Sequence, residues 1–317
     1  MSKPFSIISY AIREADGIDK LIDFLDSLVK FEVSTRTDVV IALKESSEKF
    51  HKEVQQLVHQ TQIPQIKIIF VPSGGYDIGT HHFIAINSNC EVLILMTASS
   101  KPNIKNWDAL LLKKFEESQV GIVGSMYSKE SIKTSYFEAL DLILKSKLHI
   151  ELKEKDKITA EIRGIKLKIR KISISEKILS KNLLTIARNL VIYAKRDTEP
   201  FNYVNFFPEF PNPHLRTTGI AIRRKLLIAI IDDIPTVKSD AFRYESGYQS
   251  ITRRALSLGW RVLVLSADQN YFDFGDKDIK STFRVPRVDS IVTDHESRSF
   301  HKLNLRMQKV LSKITHG

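Results

Sequence analysis

The stretch Ile66-Lys-Ile-Ile-Phe-Val-Pro-Ser-Gly-Gly-Tyr-Asp-Ile-Gly-Thr-His-His-Phe-Ile-Ala-Ile86, followed by Glu91-Val-Leu-Ile-Leu-Met96, decides the fold class. An apolar run rich in β-branched residues, a Gly-rich joint, a helix-length segment and a second apolar run form a strand–helix–strand unit. Runs apolar on both faces belong to parallel sheets covered by helices on each side. The pattern extends toward the N-terminus. Phe5–Tyr10 reads as a buried strand, and Gly17–Val29 as a helix with Ile18, Leu21, Ile22, Phe24, Leu25 and Leu28 at helical spacing. Asp38–Leu43 is a second strand and Ser46–His59 a second helix. Right-handed crossovers then bring the strand C-terminal ends to one edge, where ligands of open α/β sheets bind.

Downstream, Asn106–Glu117 predicts a helix and Val120–Gly124 a strand. Beyond a basic section the pattern resumes, with a strand over Thr218–Ile222, a helix over Lys225–Ile231, and a strand over Arg261–Ser266. A helix starting at Glu245 and ended by Gly259 lies between the last two. The expected organisation is an α/β half over 1–135, a basic, mainly helical insertion over 136–200, and a second half over 201–317 completing the same domain. Within the insertion, Tyr136–Leu148 and Ser175–Ala194 read as helices and Glu161–Arg170 as a hairpin.

The chain has 317 residues, 43% hydrophobic, enough for a sizeable core. Its one cysteine, Cys90, excludes an intramolecular disulfide framework and favours a reducing compartment. It reads as a buried small hydrophobe rather than a reactive thiol. No run reaches the roughly 20 apolar residues that span a bilayer, and the N-terminus lacks a signal-peptide pattern. The expectation is a cytoplasmic protein. The formal charge of +11 is concentrated: residues 145–196 carry fifteen Lys/Arg against five Asp/Glu. That surplus suits peripheral contact with anionic lipid at the inner face of a membrane, at about 1 kcal/mol per well-placed cation, or a solvated helical lid, which the core-type apolar spacing of Ser175–Ala194 favours. Nucleic acid is not expected as a partner, since the aromatic–basic interleaving of single-strand binders is missing.

Four segments carry candidate chemistry. Gly74-Gly-Tyr-Asp-Ile-Gly79 lets backbone approach a phosphate or ribose at a helix N-terminus, or is a tight turn whose Asp77 caps the helix. Thr97-Ala-Ser99 ends the fourth strand in neutral hydroxyls, whereas hard divalent cations require carboxylate oxygens. Pro211-Asn-Pro presents His214, Arg216 and Thr217 on a stiff loop. There, Arg can grip a phosphate bidentately and His can exchange a proton, or His214 simply caps a carbonyl. Asp240-Ala-Phe-Arg-Tyr-Glu-Ser-Gly247 offers Glu245 as a general base, or as a carboxylate settled on a helix N-terminus while Asp240 and Arg243 pair on the surface.

Together, Gly75-Tyr-Asp-Ile-Gly79, Val120-Gly-Ile-Val-Gly-Ser125, Phe210-Pro-Asn-Pro-His-Leu-Arg-Thr217 and Asp240-Ala-Phe-Arg-Tyr-Glu-Ser-Gly247 resemble the GT-A-fold glycosyltransferases of the broad family-2 type. They are closest to a bacterial subgroup met in polysaccharide gene clusters. The resemblance implies a Rossmann-like, mostly parallel sheet and a nucleotide-sugar donor. It likewise implies a glycan or a lipid-linked sugar as acceptor, and transfer with inversion at the anomeric carbon with Glu245 as base. On that reading His214 and Arg216 join Glu245 in the catalytic group. Gly75, Tyr76, Asp77, Gly79, Thr97, Ser99 and Arg243 meet the donor, and Asn212, Thr217 and Tyr248 the acceptor. The family's metal-binding Asp-x-Asp is replaced by Thr97-Ala-Ser99, so no metal is expected there. The diphosphate would need counter-charge from Arg216, His214, Arg243 or Arg284. The alternative from a different class is a catalytically silent module of the same fold that binds a glycan or a partner transferase.

Overall fold

In the computed structural model, which describes residues 5–61, 63, 65–135 and 204–317, an eight-stranded sheet has the order β11-β10-β6-β9-β4-β1-β2-β3. Its strands are β1 (Ser6–Arg13), β2 (Thr37–Lys44), β3 (Ile66–Phe70), β4 (Val92–Thr97), β6 (Val120–Gly124), β9 (Ile220–Arg223), β10 (Arg261–Leu265) and β11 (Tyr271–Asp273). Neighbours pair parallel from β4 through β1 and β2 to β3, and again between β6 and β10. β9 lies antiparallel between β4 and β6, and β11 antiparallel at the edge. The predicted α/β class with a mostly parallel sheet flanked by helices is the one observed. The short pairs β5 (Lys101–Pro102) with β12 (Val292–Thr293) and β7 (Tyr127–Ser128) with β8 (His214–Leu215) lie outside the main sheet.

Strand alternation divides the core into two layers. Ile8, Tyr10, Ile12, Val39 and Ile41 face the helices Ile18–Phe31 and Glu48–Thr61, whose Leu21, Phe24, Leu25, Leu28, Phe50 and Val54 complete that layer. Ile7, Val40, Leu93 and Leu95 face the opposite layer with Ile84, Leu226, Leu227 and Ile251. Each such side chain contributes about 1.5–3 kcal/mol by leaving water. Tyr10 stacks on Phe24 with ring centroids 3.9 Å apart and donates its hydroxyl to Ala98 O at 2.8 Å, tying β1 to the chain just beyond β4. Cys90 is buried, as expected.

The chain forms two compact units, residues 1–130 with 211–317, and residues 131–210. In the second, the described residues bind one another. Ser131 Oγ donates to Pro208 O at 2.6 Å, and Lys133 pairs with Glu209 at 2.8 Å. The helices expected over Tyr136–Leu148 and Ser175–Ala194, the hairpin over Glu161–Arg170 and the membrane-facing surplus over 145–196 lie outside the described residues. Among the described residues, no helix is long and apolar enough to cross a membrane.

One expected element is different. Glu245 does not begin a helix. It is the penultimate residue of the helix Lys238–Ser246, and a new helix, Ile251–Ser257, starts after a turn, with Ser250 accepting a bond from Arg253 N as its cap. Gly247 and the Ser250 cap break what reads in sequence as one helix. The second helix does end before Gly259, which takes φ +77°.

Candidate active site at the strand ends

Strands β1, β2, β4, β6 and β10 all finish on one edge of the sheet, at Arg13, Lys44, Thr97, Gly124 and Leu265. Because β9 is antiparallel, its first residue Ile220 pairs with Leu95 and Gly124, so the loop leading into it reaches the same edge. The chain leaves β1 toward β2 on one side and returns as β4 on the other. The crevice between β1 and β4 is therefore a topological switch point.

At the Gly-rich joint, Gly75 takes φ +77° and a Cβ there would come within 2.9 Å of Gly79 Cα. It is the N-cap of the helix Tyr76–Ile86, with no side-chain cap. Asp77 therefore does not cap the helix and sits half-buried in its first turn. Burial pushes its carboxyl pKa up, against the pull of Lys238 and Arg13. Lys44, only 4% exposed, donates Nζ to Tyr76 O at 3.1 Å, and Lys238 Nζ lies 5.5 Å from the Tyr76 ring centroid. Lys44 was legible as a charge directly after the apolar run Val39–Leu43, yet sequence reasoning passed over it.

The second cluster is built around the loop 211–218. Asn212 is fully buried, donating to Ser246 O at 2.7 Å and accepting from Arg253 Nη2 at 3.0 Å. Leu215 N donates to Thr252 Oγ1, and Arg216 N to Met126 O at 2.9 Å. Leu215 packs directly on Gly124, where a Cβ would meet its Cδ1 at 2.9 Å, so only glycine at the end of β6 lets the loop lie this close. Asn212 thus acts as a brace for the helix that carries Glu245.

Glu245 stands at the C-terminal end of its helix, the end where the backbone dipole disfavours a carboxylate. The helix-N-terminus reading is therefore excluded, and partners from the loop hold it instead. Thr217 Oγ1 donates to Oε2 at 2.9 Å, and Arg216 Nη1 lies 3.4 Å from Oε1. Burial alone would raise its pKa, but Arg216, His214 and the Thr217 bond outweigh that and hold the carboxyl below its ordinary value. The side chain keeps 17% exposure, so an ionised oxygen remains within reach of a ligand. His214 is buried, and desolvation lowers its pKa despite the nearby Glu245. Its Nδ1 is 2.8 Å from Asn212 O, an acceptor only, so Nδ1 carries the hydrogen and Nε2 is left with a lone pair. The carbonyl bond that sequence allowed for His214 is thus present.

Residues from three further segments complete this cluster, and of these the sequence reading named only Arg284, as a source of counter-charge for the diphosphate. Arg216 Nη2 approaches Asp294 Oδ2 at 3.7 Å. Arg284 binds Glu130 at 3.1 Å and Glu296 at 2.6 Å. The guanidinium carbons of Arg216 and Arg284 lie 4.3 and 4.9 Å from the centroid of the buried Phe283 ring. Asp294 has one local signal, a capping box with Ser297.

The end of β4 is built differently. Thr97 Oγ1 and Ser100 Oγ are 2.8 Å apart, and Thr97 Oγ1 is 3.4 Å from Thr218 Oγ1. Ser99 O accepts from Arg298 Nη2 at 2.9 Å. Neutral hydroxyls bonded to one another beside a guanidinium do not fit a divalent cation, which needs carboxylate oxygens. Among the described residues, no group of three His, Cys, Asp or Glu is placed to hold a metal.

The remaining candidates are more dispersed. Arg243 pairs with Asp240 at 3.0 Å, as the surface-pair alternative had it, and lines a cleft of about 170 Å³ with Asp233, Pro235, Tyr244 and Gln249. Tyr248 is 57% exposed in the turn after Glu245.

No protein-family model and no curated protein matches the chain. Solved structures overlap with it in part. The mannosyltransferase PcManGT of Pyrobaculum calidifontis, in complex with GDP-Man and Mn²⁺, has a TM-score of 0.34 at 12% identity, over 40% of this chain and 36% of that one. TarS 1–349 of S. aureus, in complex with UDP-GlcNAc, has a TM-score of 0.32 at 15% identity over 43% of each chain. GalNAc-T7 with UDP, GalNAc and Mn²⁺ has a TM-score of 0.33 at 16% identity, over 39% of this chain and 23% of that one. This chain thus spans less than half the length of each, and overlaps at such TM-scores carry no argument about activity.

Proposed function

We propose that the protein is a glycosyltransferase that moves a sugar from a nucleotide-sugar donor to a glycan or lipid-linked acceptor, with inversion. The observation that carries this reading is Glu245: an ionised, reachable carboxylate set against its helix dipole and held by Thr217 and Arg216 at the edge where α/β sheets bind ligands. The acceptor hydroxyl oxygen attacks the anomeric carbon, its proton passes to Glu245, and the bond from that carbon to the diphosphate oxygen breaks, releasing a nucleoside diphosphate. His214 and Arg216 flank the reacting groups. Arg216 also keeps Glu245 ionised, and His214 offers a neutral acceptor. The Gly75–Gly79 joint with Tyr76 and Asp77 meets the donor, joined by Lys44 beneath Tyr76. Thr97 and Ser99 lie on the donor side, and Thr217 on the acceptor side. In this reading Asn212 is a positioning residue rather than an acceptor contact, because its side chain is consumed by Ser246 and Arg253.

The test is a panel of nucleotide-sugars assayed for donor hydrolysis and transfer, with wild type and Glu245→Gln side by side. The expected result is turnover of at least one donor by wild type and its near-loss in the variant. Near-wild-type turnover by Glu245→Gln removes Glu245 as base. Donor binding without turnover supports the silent module instead, which the neutral end of β4 favours.

A further inference from the structure

Arg298, on the helix His295–His301, is a half-buried cation whose hydrogen-bond partners among the described residues are neutral. Nη2 donates to Ser99 O at 2.9 Å and Nη1 to Thr293 Oγ1 at 3.2 Å. Among the described residues it forms no salt bridge, in contrast to Arg216, Arg254, Arg261 and Arg284. A partly desolvated charge without a counter-ion is costly, and a bound anion would supply what the fold does not. Its neighbour supplies a second, independent sign. Arg216 Nε is buried with no hydrogen-bond partner, so this guanidinium, too, has a donor unused by the protein. The two arginines flank adjacent residues, Arg298 bonding Thr293 and Arg216 approaching Asp294. Thr97, Ser100 and Thr218 add hydroxyls nearby. Ser99 lies two residues past the end of β4, at the switch point, and among the described residues no group of three His, Cys, Asp or Glu is placed to recruit a metal.

We infer that Arg298, with Arg216 beside it, is an oxyanion seat for the diphosphate of the donor and takes the place of a divalent cation at the end of β4. The inference rests on the transferase reading above and adds to it the source of positive charge. When the bond between the anomeric carbon and the phosphate oxygen breaks, the electron pair stays on that oxygen, and a guanidinium can stabilise it with two parallel N–H donors. Arg298 suits this better than Arg216, since Arg216 already shares its charge with Glu245 and Asp294.

The experiment is calorimetric titration of the full chain with UDP, GDP and inorganic pyrophosphate, in EDTA and again with Mn²⁺. It compares wild type, Arg298→Met and Arg298→Lys, with uridine and guanosine as phosphate-free probes. The expected result is binding of at least one nucleoside diphosphate by wild type in EDTA. Arg298→Met should weaken it roughly 10- to 100-fold, as for loss of a charge-assisted pair, and Arg298→Lys by less. Binding of the matching nucleoside should not change, which a merely structural role for Arg298 would not produce. The lysine variant keeps the question answerable if the methionine variant does not fold. Binding that occurs only with Mn²⁺, or that is the same in wild type and both variants, overturns the inference and leaves the transferase reading standing. Failure of wild type to bind any nucleoside diphosphate under either condition overturns both.

Discussion

Two neighbouring parts of the ligand edge are made polar by opposite means. Around Glu245, charge balances charge: Arg216 stands between Glu245 and Asp294, and Arg284 between Glu130 and Glu296. At the end of β4, Thr97, Ser100 and Thr218 share hydrogen bonds without any charge of their own. The contrast separates two tasks. A charge network fixes the protonation state of a carboxylate, because each ion sets the cost of neutralising the next. A hydroxyl network fixes positions while leaving the local potential to whatever cation or anion comes near. Perturbing the first should therefore change chemistry and pH response, and perturbing the second should change little beyond geometry.

The largest effect expected is on the charged side. Glu245→Gln keeps the shape but removes the proposed base, and on that proposal kcat should fall on the order of 10²- to 10⁴-fold, measured with any donor that wild type is found to turn over. Next comes Arg216→Met, which leaves Glu245 and Asp294 facing each other without their cation. A fully buried pair broken this way costs roughly 3–5 kcal/mol. With Arg216 and Glu245 still 18% and 17% exposed, about 2–3 kcal/mol is expected in urea denaturation. The same variant should move the acidic limb of the pH–rate profile to higher pH, since Arg216 is what holds the Glu245 pKa down; an unmoved limb would separate the two residues.

A smaller effect concerns pH and stability. His81 is buried against Ser9 at 2.7 Å, and desolvation lowers its pKa to about 3. The unfolded chain, with an ordinary histidine, binds this proton from near pH 6.5 downward while the folded one does not. Stability should thus fall as pH drops through that window, by about 1.4 kcal/mol per pH unit for one proton. The depressed Glu130 and Glu245 act in the same direction, at lower pH. His81→Gln, which can keep the bond to Ser9, should flatten the slope between pH 6 and 4 in thermal melts at graded pH. The smallest effect should follow Thr97→Ala, about 1 kcal/mol or less for one neutral hydrogen bond. A loss rivalling that of Arg216→Met would abolish the distinction between the two networks.

What was legible in the sequence was whatever repeats locally. Runs such as Val92–Thr97, and the helical spacing of Leu21, Phe24, Leu25 and Leu28, follow from burial on a sheet or a helix face, and the structure keeps them. The β9 strand was visible, but its direction was not, because an apolar run carries no sign of polarity. Glu245 was singled out as a candidate base but placed at the wrong end of a helix. Gly247 and Ser250 were too weak a signal against the helical spacing around them. Asp294, Arg298 and Glu130 were passed over for another reason. Glu130 sits alone on its segment, Asp294 and Arg298 share one short helix and its cap, and only the packing of that helix against the ends of β4 and β7 gathers them. A site assembled from segments so far apart in the chain leaves no spacing to read.

The antiparallel β9 makes alignment itself a functional quantity. Thr217, which holds the Glu245 carboxylate, stands three residues ahead of Ile220, whose partners are Leu95 and Gly124. Deleting one residue from Thr218-Gly219 would leave two choices. The strand could keep its pairing and drag Thr217 toward the sheet, or it could slip by about 3.3 Å and turn every β9 side chain to the other face. Either way the hydroxyl and the carboxylate part company. The ladder between β4, β9 and β6 is thus a ruler for the candidate site, and a one-residue length change that alters no charge would be read there as a lost hydrogen bond.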